Sequence, residues 1–224
     1  IEMRTPVCES FGLEYPIFAF SHCRDVVAAV SRAGGMGVLG AIVFTPEELE
    51  RELQWIDKNV DGKPYGVDVV IPAAYVGKAQ GDLGKLDLEK LVPEEHTRFL
   101  EQLLDRYDVP PLPEDVPRFE GLLGWTASKG RALVDVAMGH PIKLLANALG
   151  PPPVDVIERA HAAGVQVAAL VGRGDQALAQ RDSGVDVIVA AGYEAGGHTG
   201  EVSTMVLVPE VVDAVAPLPV LAAG

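Results

Sequence analysis

Short apolar runs that recur between amphipathic stretches constrain this chain more than any other feature. They are Pro16–Phe20, Met36–Ala41, Tyr65–Ile71, Ile142–Ala148, Val165–Val171, Val185–Ala191 and Pro219–Ala223. Each reads apolar throughout rather than alternating with polar residues, the pattern of parallel strands buried on both faces. Helices are predicted between them over Arg24–Ala33, Val154–Ala163, Asp175–Ser183 and Pro209–Ala214. Another is signalled by Thr45, followed by Pro46 at the first helical position and Glu48 to complete a capping box. Its apolar residues Leu49, Leu53, Ile56 and Val60 fall on one helical face, and Asp61-Gly62 ends it. Strand and helix in strict alternation require parallel pairing with helical crossovers. A (β/α)8 barrel and a doubly wound open sheet both satisfy that rule. A barrel needs about 250 residues and eight strands. The sequence stops after a seventh run, at Gly224, with no closing helix, so an incomplete barrel is one expectation.

Charge narrows the partners. Thirty-two acidic against 18 basic residues leave a net charge of −14, which opposes binding to nucleic acid or anionic membranes. Cys8 and Cys23 form no CxxC pattern and read as reduced bystanders, with no metal site expected. Ile1–Pro6 is mixed polar and no apolar run has the length of a membrane span, so no signal peptide and a cytoplasmic location are expected. Self-association is left open.

Residues 72–124 break the rhythm with acids, five prolines between Pro93 and Pro117, and one amphipathic helix near Glu94–Tyr107. They are read as an insertion after the third strand. It is either a surface excursion or a lid over the C-terminal face, where barrel active sites lie.

Val185–Gly200, VDVIVAAGYEAGGHTG, carries the chemistry. A buried strand opens at its C-terminal end into Gly192, Gly196, Gly197 and Gly200, a loop whose amides can approach a ligand with no Cβ in the way. His198 lies in that loop, and histidine is the side-chain type that ordinarily titrates near neutral pH. Other motifs are weaker. Gly35–Gly40 matches GxGxxG but leads from a helix into a strand, the reverse of a dinucleotide site. Arg173-Gly174-Asp175 is a chance tripeptide. His96, His140 and His161 read as surface residues without partners. His22 directly follows the first strand and would point to a barrel mouth.

GYEAGGHTG followed by PVLAAG resembles the nitronate monooxygenases, formerly 2-nitropropane dioxygenases, which are FMN-dependent TIM-barrel enzymes. EYPIFAF, AAVSRAGGMGVLG and PYGVDVVIP resemble the family's first strand, its helix-to-strand passage and its third strand. The related enoyl-reductase flavoproteins share this framework. The resemblance implies an α/β (β/α)8 barrel with seven strands present, ending before the eighth. Residues 1–224 would form one C-terminally incomplete FMN-binding domain, with 72–124 as a lid within it.

His198 falls on the family's catalytic base, and Gly196 and Gly197 on the glycines lining the flavin. Asp68 stands where the family usually has a flavin-contacting asparagine, and Ala191, before Gly192, where it usually has glutamine. Phe20, Ser21 and His22 replace an Ala-Pro-Met at the first strand's mouth. Gly224 matches the first glycine of a pair that holds the FMN phosphate. The implied reaction oxidises alkyl nitronates or nitroalkanes with oxygen, His198 removing the α-proton of a neutral nitroalkane. Two alternatives remain: an NAD(P)H-dependent flavin reductase acting on an enoyl or acyl thioester or a quinone, and a flavin-free scaffold.

Overall fold

A computed structural model of the chain describes residues 4–71, 92–111, 113 and 127–224. Seven parallel strands pair in chain order. They are β1 (Phe18–Ser21), β2 (Met36–Gly40), β3 (Tyr65–Val69), β4 (Leu144–Asn147), β5 (Gln166–Val171), β6 (Val187–Ala191) and β7 (Val220–Ala223). Helices α1 (Pro6–Phe11), α2 (Arg24–Arg32), α3 (Pro46–Asn59), α4 (Glu94–Arg106), α5 (Ala127–Ala137), α6 (Val154–Ala162), α7 (Gly174–Asp182) and α8 (Thr204–Val215) complete the described elements. Strand order and alternation are those of a (β/α)8 barrel through its seventh strand. The open-sheet alternative is not the one realised, because a doubly wound sheet reverses its strand order at a switch point and this one does not.

Two apolar layers explain why the strands carry no polar face. Leu39, Val67, Val69, Leu145, Val167, Ala169 and Ile188 point outward onto α3, α5 and the later helices. Met36, Val38, Leu144, Ala146, Ala168 and Val187 point inward. Val7, Cys8 and Phe11 of α1, with Leu13, close the bottom of that inner layer, and Phe11 meets Phe18 edge to face at 5.6 Å. The sequence reading did not include α1, a six-residue helix too short to show a period. Cys8 belongs to this plug, Cys23 is exposed, and both are free thiols.

Local signals set the element ends. Thr45 Oγ1 accepts the Glu48 amide and a Glu48 carboxylate oxygen accepts the Thr45 amide, the expected capping box. That backbone hydrogen bond holds the Glu48 carboxyl below its ordinary range. Asp61 and Gly62 then take positive φ and end the helical run. Gly37 lets α2 lie directly on β2, since a Cβ there would stand 2.2 Å from the Val27 carbonyl oxygen.

One helical expectation needs correction, one helix shows no sign in the sequence, and one lies where it is expected. Helix α8 starts at Thr204 and carries Pro209 inside it, whereas proline had been taken for the first helical position. Helix α5 has no cap signal to mark it in the sequence, although Gly130, Leu133, Val134 and Ala137 bury one of its faces. Helix α4 lies where a helix was expected and buries no residue. Of the insertion assigned to 72–124, residues 72–91, 112 and 114–124 fall outside the described residues. Among the described residues no helix is long and apolar enough to cross a membrane.

Candidate active site

The C-terminal ends of the strands bring most of the expected site residues to one end of the sheet. Ala191 ends β6, and Gly192 turns the chain into the loop that carries His198. The loop is held from two sides. A Glu194 carboxylate oxygen accepts the Thr204 amide at 2.8 Å and the Thr204 hydroxyl at 2.8 Å. Glu194 thus caps the start of α8, where a carboxylate suits the helix dipole. The Thr204 backbone donor, then its hydroxyl, keep the Glu194 carboxyl below the ordinary range. On the other side Gly200 lies on Gly172 of the β5–α7 loop, its Cα 2.6 Å from where a Gly172 Cβ would stand.

Gly192 and Gly224 both abut Thr204. A Cβ on Gly192 would lie 2.1 Å from Thr204 Oγ1, and one on Gly224 would lie 2.4 Å from it. Gly196 and Gly197 are different: both are exposed, and a Cβ on either would meet nothing within 4 Å. The first pair serves packing of the loop on α8. The second pair opens backbone to space.

The next residue, His198, lines a cavity of about 480 Å³ together with Leu149, Gly150, Leu170, Arg173 and Ala191, among others; Gly196 and Gly197 are not part of that lining. His198 is therefore a wall residue of a hollow at the strand ends. The strand-end residues of β4 and β5 that share this wall were not expected from the sequence. Their loops hold no motif, and only the parallel order places them beside β6. Asn147, at the end of β4, organises one of them: its side-chain oxygen accepts the Ile71 amide at 2.8 Å and its amide group donates to the Gly150 carbonyl at 2.9 Å.

Phe20, Ser21 and His22 lie on the far side, at the end of β1. The His22 ring bonds the Gly40 carbonyl through Nδ1 at 2.9 Å and meets the Phe20 ring edge to face at 5.0 Å. Both rings lie over Gly40, where a Cβ would stand 2.6 Å from each. Asp68 is next to Gly40 in the sheet and pairs with Ala146 on its other side. That register turns Asp68 inward, into the barrel. It is 7% exposed and its Oδ1 has no hydrogen-bond partner. Burial alone pushes its carboxyl up to about 8.

Two histidines set aside as unpartnered surface residues have partners. The His140 side chain is 7% exposed, with Nδ1 2.7 Å from Asp57 and Nε2 3.2 Å from Glu50. The Tyr65 hydroxyl donates to the other Asp57 oxygen at 2.6 Å, and burial, then Asp57, raise its pKa. His161 contacts Asp186 at 2.8 Å, the same carboxylate that accepts the Val167 amide. Sequence spacing could not disclose these pairs, because their members lie 83 and 25 residues apart. Both clusters fasten helices to strand starts, away from the mouth.

The residue pattern of this mouth has counterparts. The family model for nitronate monooxygenase matches residues 7–224. The chain belongs to the nitronate monooxygenase family. A Mycobacterium tuberculosis protein named as a monooxygenase is 56% identical over 224 residues, covering 99% of this chain and 60% of its own. A Staphylococcus haemolyticus protein named as a nitronate monooxygenase is 27% identical, over 96% of this chain and 59% of its own length. The chain thus spans about three fifths of these curated relatives. Nitroalkane oxidase from Streptomyces ansochromogenes superposes with a TM-score of 0.73 at 23% identity, covering 96% of this chain and 59% of that one. FabK from Thermotoga maritima gives 0.66 at 24%, covering 97% and 53%. At these identities the structural likeness concerns the fold.

The mouth fits a flavin on its own terms. Gly196 and Gly197 leave loop backbone open to space, His198 of the same loop lines a cavity, and Asp68, inward on β3, has a buried carboxyl oxygen with no partner.

Proposed function

We propose that the protein is an FMN-dependent oxidoreductase that oxidises alkyl nitronates or nitroalkanes with oxygen. The observation that carries this reading is His198 on the cavity wall, on a glycine loop at a strand end, in a chain of this family. Bound FMN would supply the electron-accepting and oxygen-reacting chemistry, and the protein supplies position and shielding.

Gly196 and Gly197 would present backbone to the cofactor, with Ala191 and Gly192 beneath them. Phe20, Ser21 and His22 would line its far edge, and Asp68 its inner side. Gly224 would begin the phosphate contacts. His198 takes the α-proton of a neutral nitroalkane as general base. The Glu194 clamp and the Gly172–Gly200 contact hold the loop that carries it beside the cavity. Small-molecule substrate and oxygen are the expected partners.

The test compares two substrates. His198→Ala should keep flavin but lose turnover of neutral nitroalkane by roughly 10²–10⁴-fold, the ordinary contribution of a general base. Turnover of the preformed nitronate should fall far less, because its proton is already gone. Equal loss on both would assign His198 to binding or orientation instead.

A further inference from the structure

Asp68 is the one acidic side chain among the described residues that is buried, turned into the barrel and left with an unpartnered oxygen. From β2 it faces Gly40, and from β4 Ala146, which is itself 6% exposed. Over that same Gly40 lies the ring of a titratable group, His22, bonded to the Gly40 carbonyl. Among the described residues no cation is bonded to the carboxyl. An ionised carboxylate so placed loses its hydration without compensation, which is costly enough that such groups take up a proton instead. A neutral carboxylic acid has one O–H to donate.

Resting on the flavin reading above, we propose that Asp68 is a proton-holding cofactor ligand: a neutral carboxylic acid whose O–H donates to an acceptor of the bound flavin. Its burial, its inward register and its orphaned oxygen all point to a hydrogen bond completed from the mouth. Burial places its titration near pH 8 in the protein without cofactor. Flavin binding and loss of that proton then oppose each other. Above the titration of the free protein, affinity falls about tenfold for each further pH unit.

The experiment is FMN binding by quenching of FMN fluorescence between pH 7 and about 9.5. That range lies above the phosphate titration near 6. The wild-type protein should lose affinity by about tenfold or more across the range. Asp68→Asn, whose amide donates at every pH, should bind with no such loss. His22→Gln should keep the wild-type slope, which separates Asp68 from its titratable neighbour. Infrared difference spectra should show a protonated-carboxyl band at pH 7 that Asp68→Asn lacks. A flat wild-type profile, a slope that survives in Asp68→Asn, or no carboxyl band overturns the inference and leaves the flavin reading standing. Failure of both proteins to take up FMN at any pH overturns the two together.

Discussion

Replacing Gly192 by alanine and Gly196 by alanine should separate the two jobs of the glycine loop. At Gly192 the new methyl would stand 2.1 Å from Thr204 Oγ1, 2.4 Å from Thr204 N and 2.6 Å from Thr204 Cα. Two of these are backbone atoms, so no rotamer change relieves the contact. The start of α8 must move, and the Glu194 bonds to Thr204 move with it. Overpacking of this kind costs about 1–3 kcal/mol. For a chain of this size that lowers Tm by about 2–12 °C. At Gly196 the methyl meets nothing within 4 Å, and its stability cost should stay within about 0.5 kcal/mol. The space it fills is the space assigned to the flavin. FMN affinity should therefore drop about tenfold, the equivalent of roughly 1.4 kcal/mol. Thermal unfolding by circular dichroism and FMN fluorescence quenching on the same samples give both readouts. A Gly192→Ala protein with wild-type Tm would refute the packing argument. A Gly196→Ala protein that binds FMN normally would refute the division of roles.

Other outcomes follow from the same geometry. Asp68→Asn should remove a pH dependence of stability: a carboxyl raised to about 8 when folded contributes fully below the unfolded value of 3.8. That contribution is lost as pH rises through the folded value, so wild type weakens toward alkaline pH in denaturant melts and the variant does not. Asn147→Ala strands the Ile71 amide and should cost about 1–3 kcal/mol in urea unfolding. Phe11→Ala empties the barrel plug and should cost about 3–5 kcal/mol in the same assay. His140→Ala should destabilise by about 1–3 kcal/mol while leaving FMN affinity unchanged, because its carboxylate partners lie on α3 and none of the three lines the cavity.

The barrel rhythm is legible because β2 to β6 are buried on both faces and the crossovers carry helices. Period and length alone therefore mark β2 to β6 to within two residues. The capping box at Thr45 and the stop at Asp61-Gly62 were legible for a local reason: each is settled by residues within a few positions. What was hidden is non-local. Nothing in PVCESF says that it plugs a barrel, since its partners Met36, Leu144 and Val187 are distant in sequence. Pro209 misled because proline marks a first helical turn more often than a helix interior. His140 was misjudged for want of Asp57 and Glu50, which the fold alone brings to it. At the candidate site the glycine loop and His198 stood out in the sequence. The cavity wall from β4 and β5 and the clamp by Glu194 emerged only once the strands were side by side.

The central claim meets its most direct test in anaerobic reduction of the bound flavin, followed by absorbance, with propyl-2-nitronate and NAD(P)H compared side by side. The account predicts rapid bleaching by the nitronate and none by NAD(P)H. Bleaching by NAD(P)H with none by the nitronate would contradict it and assign the site to nicotinamide-dependent reduction.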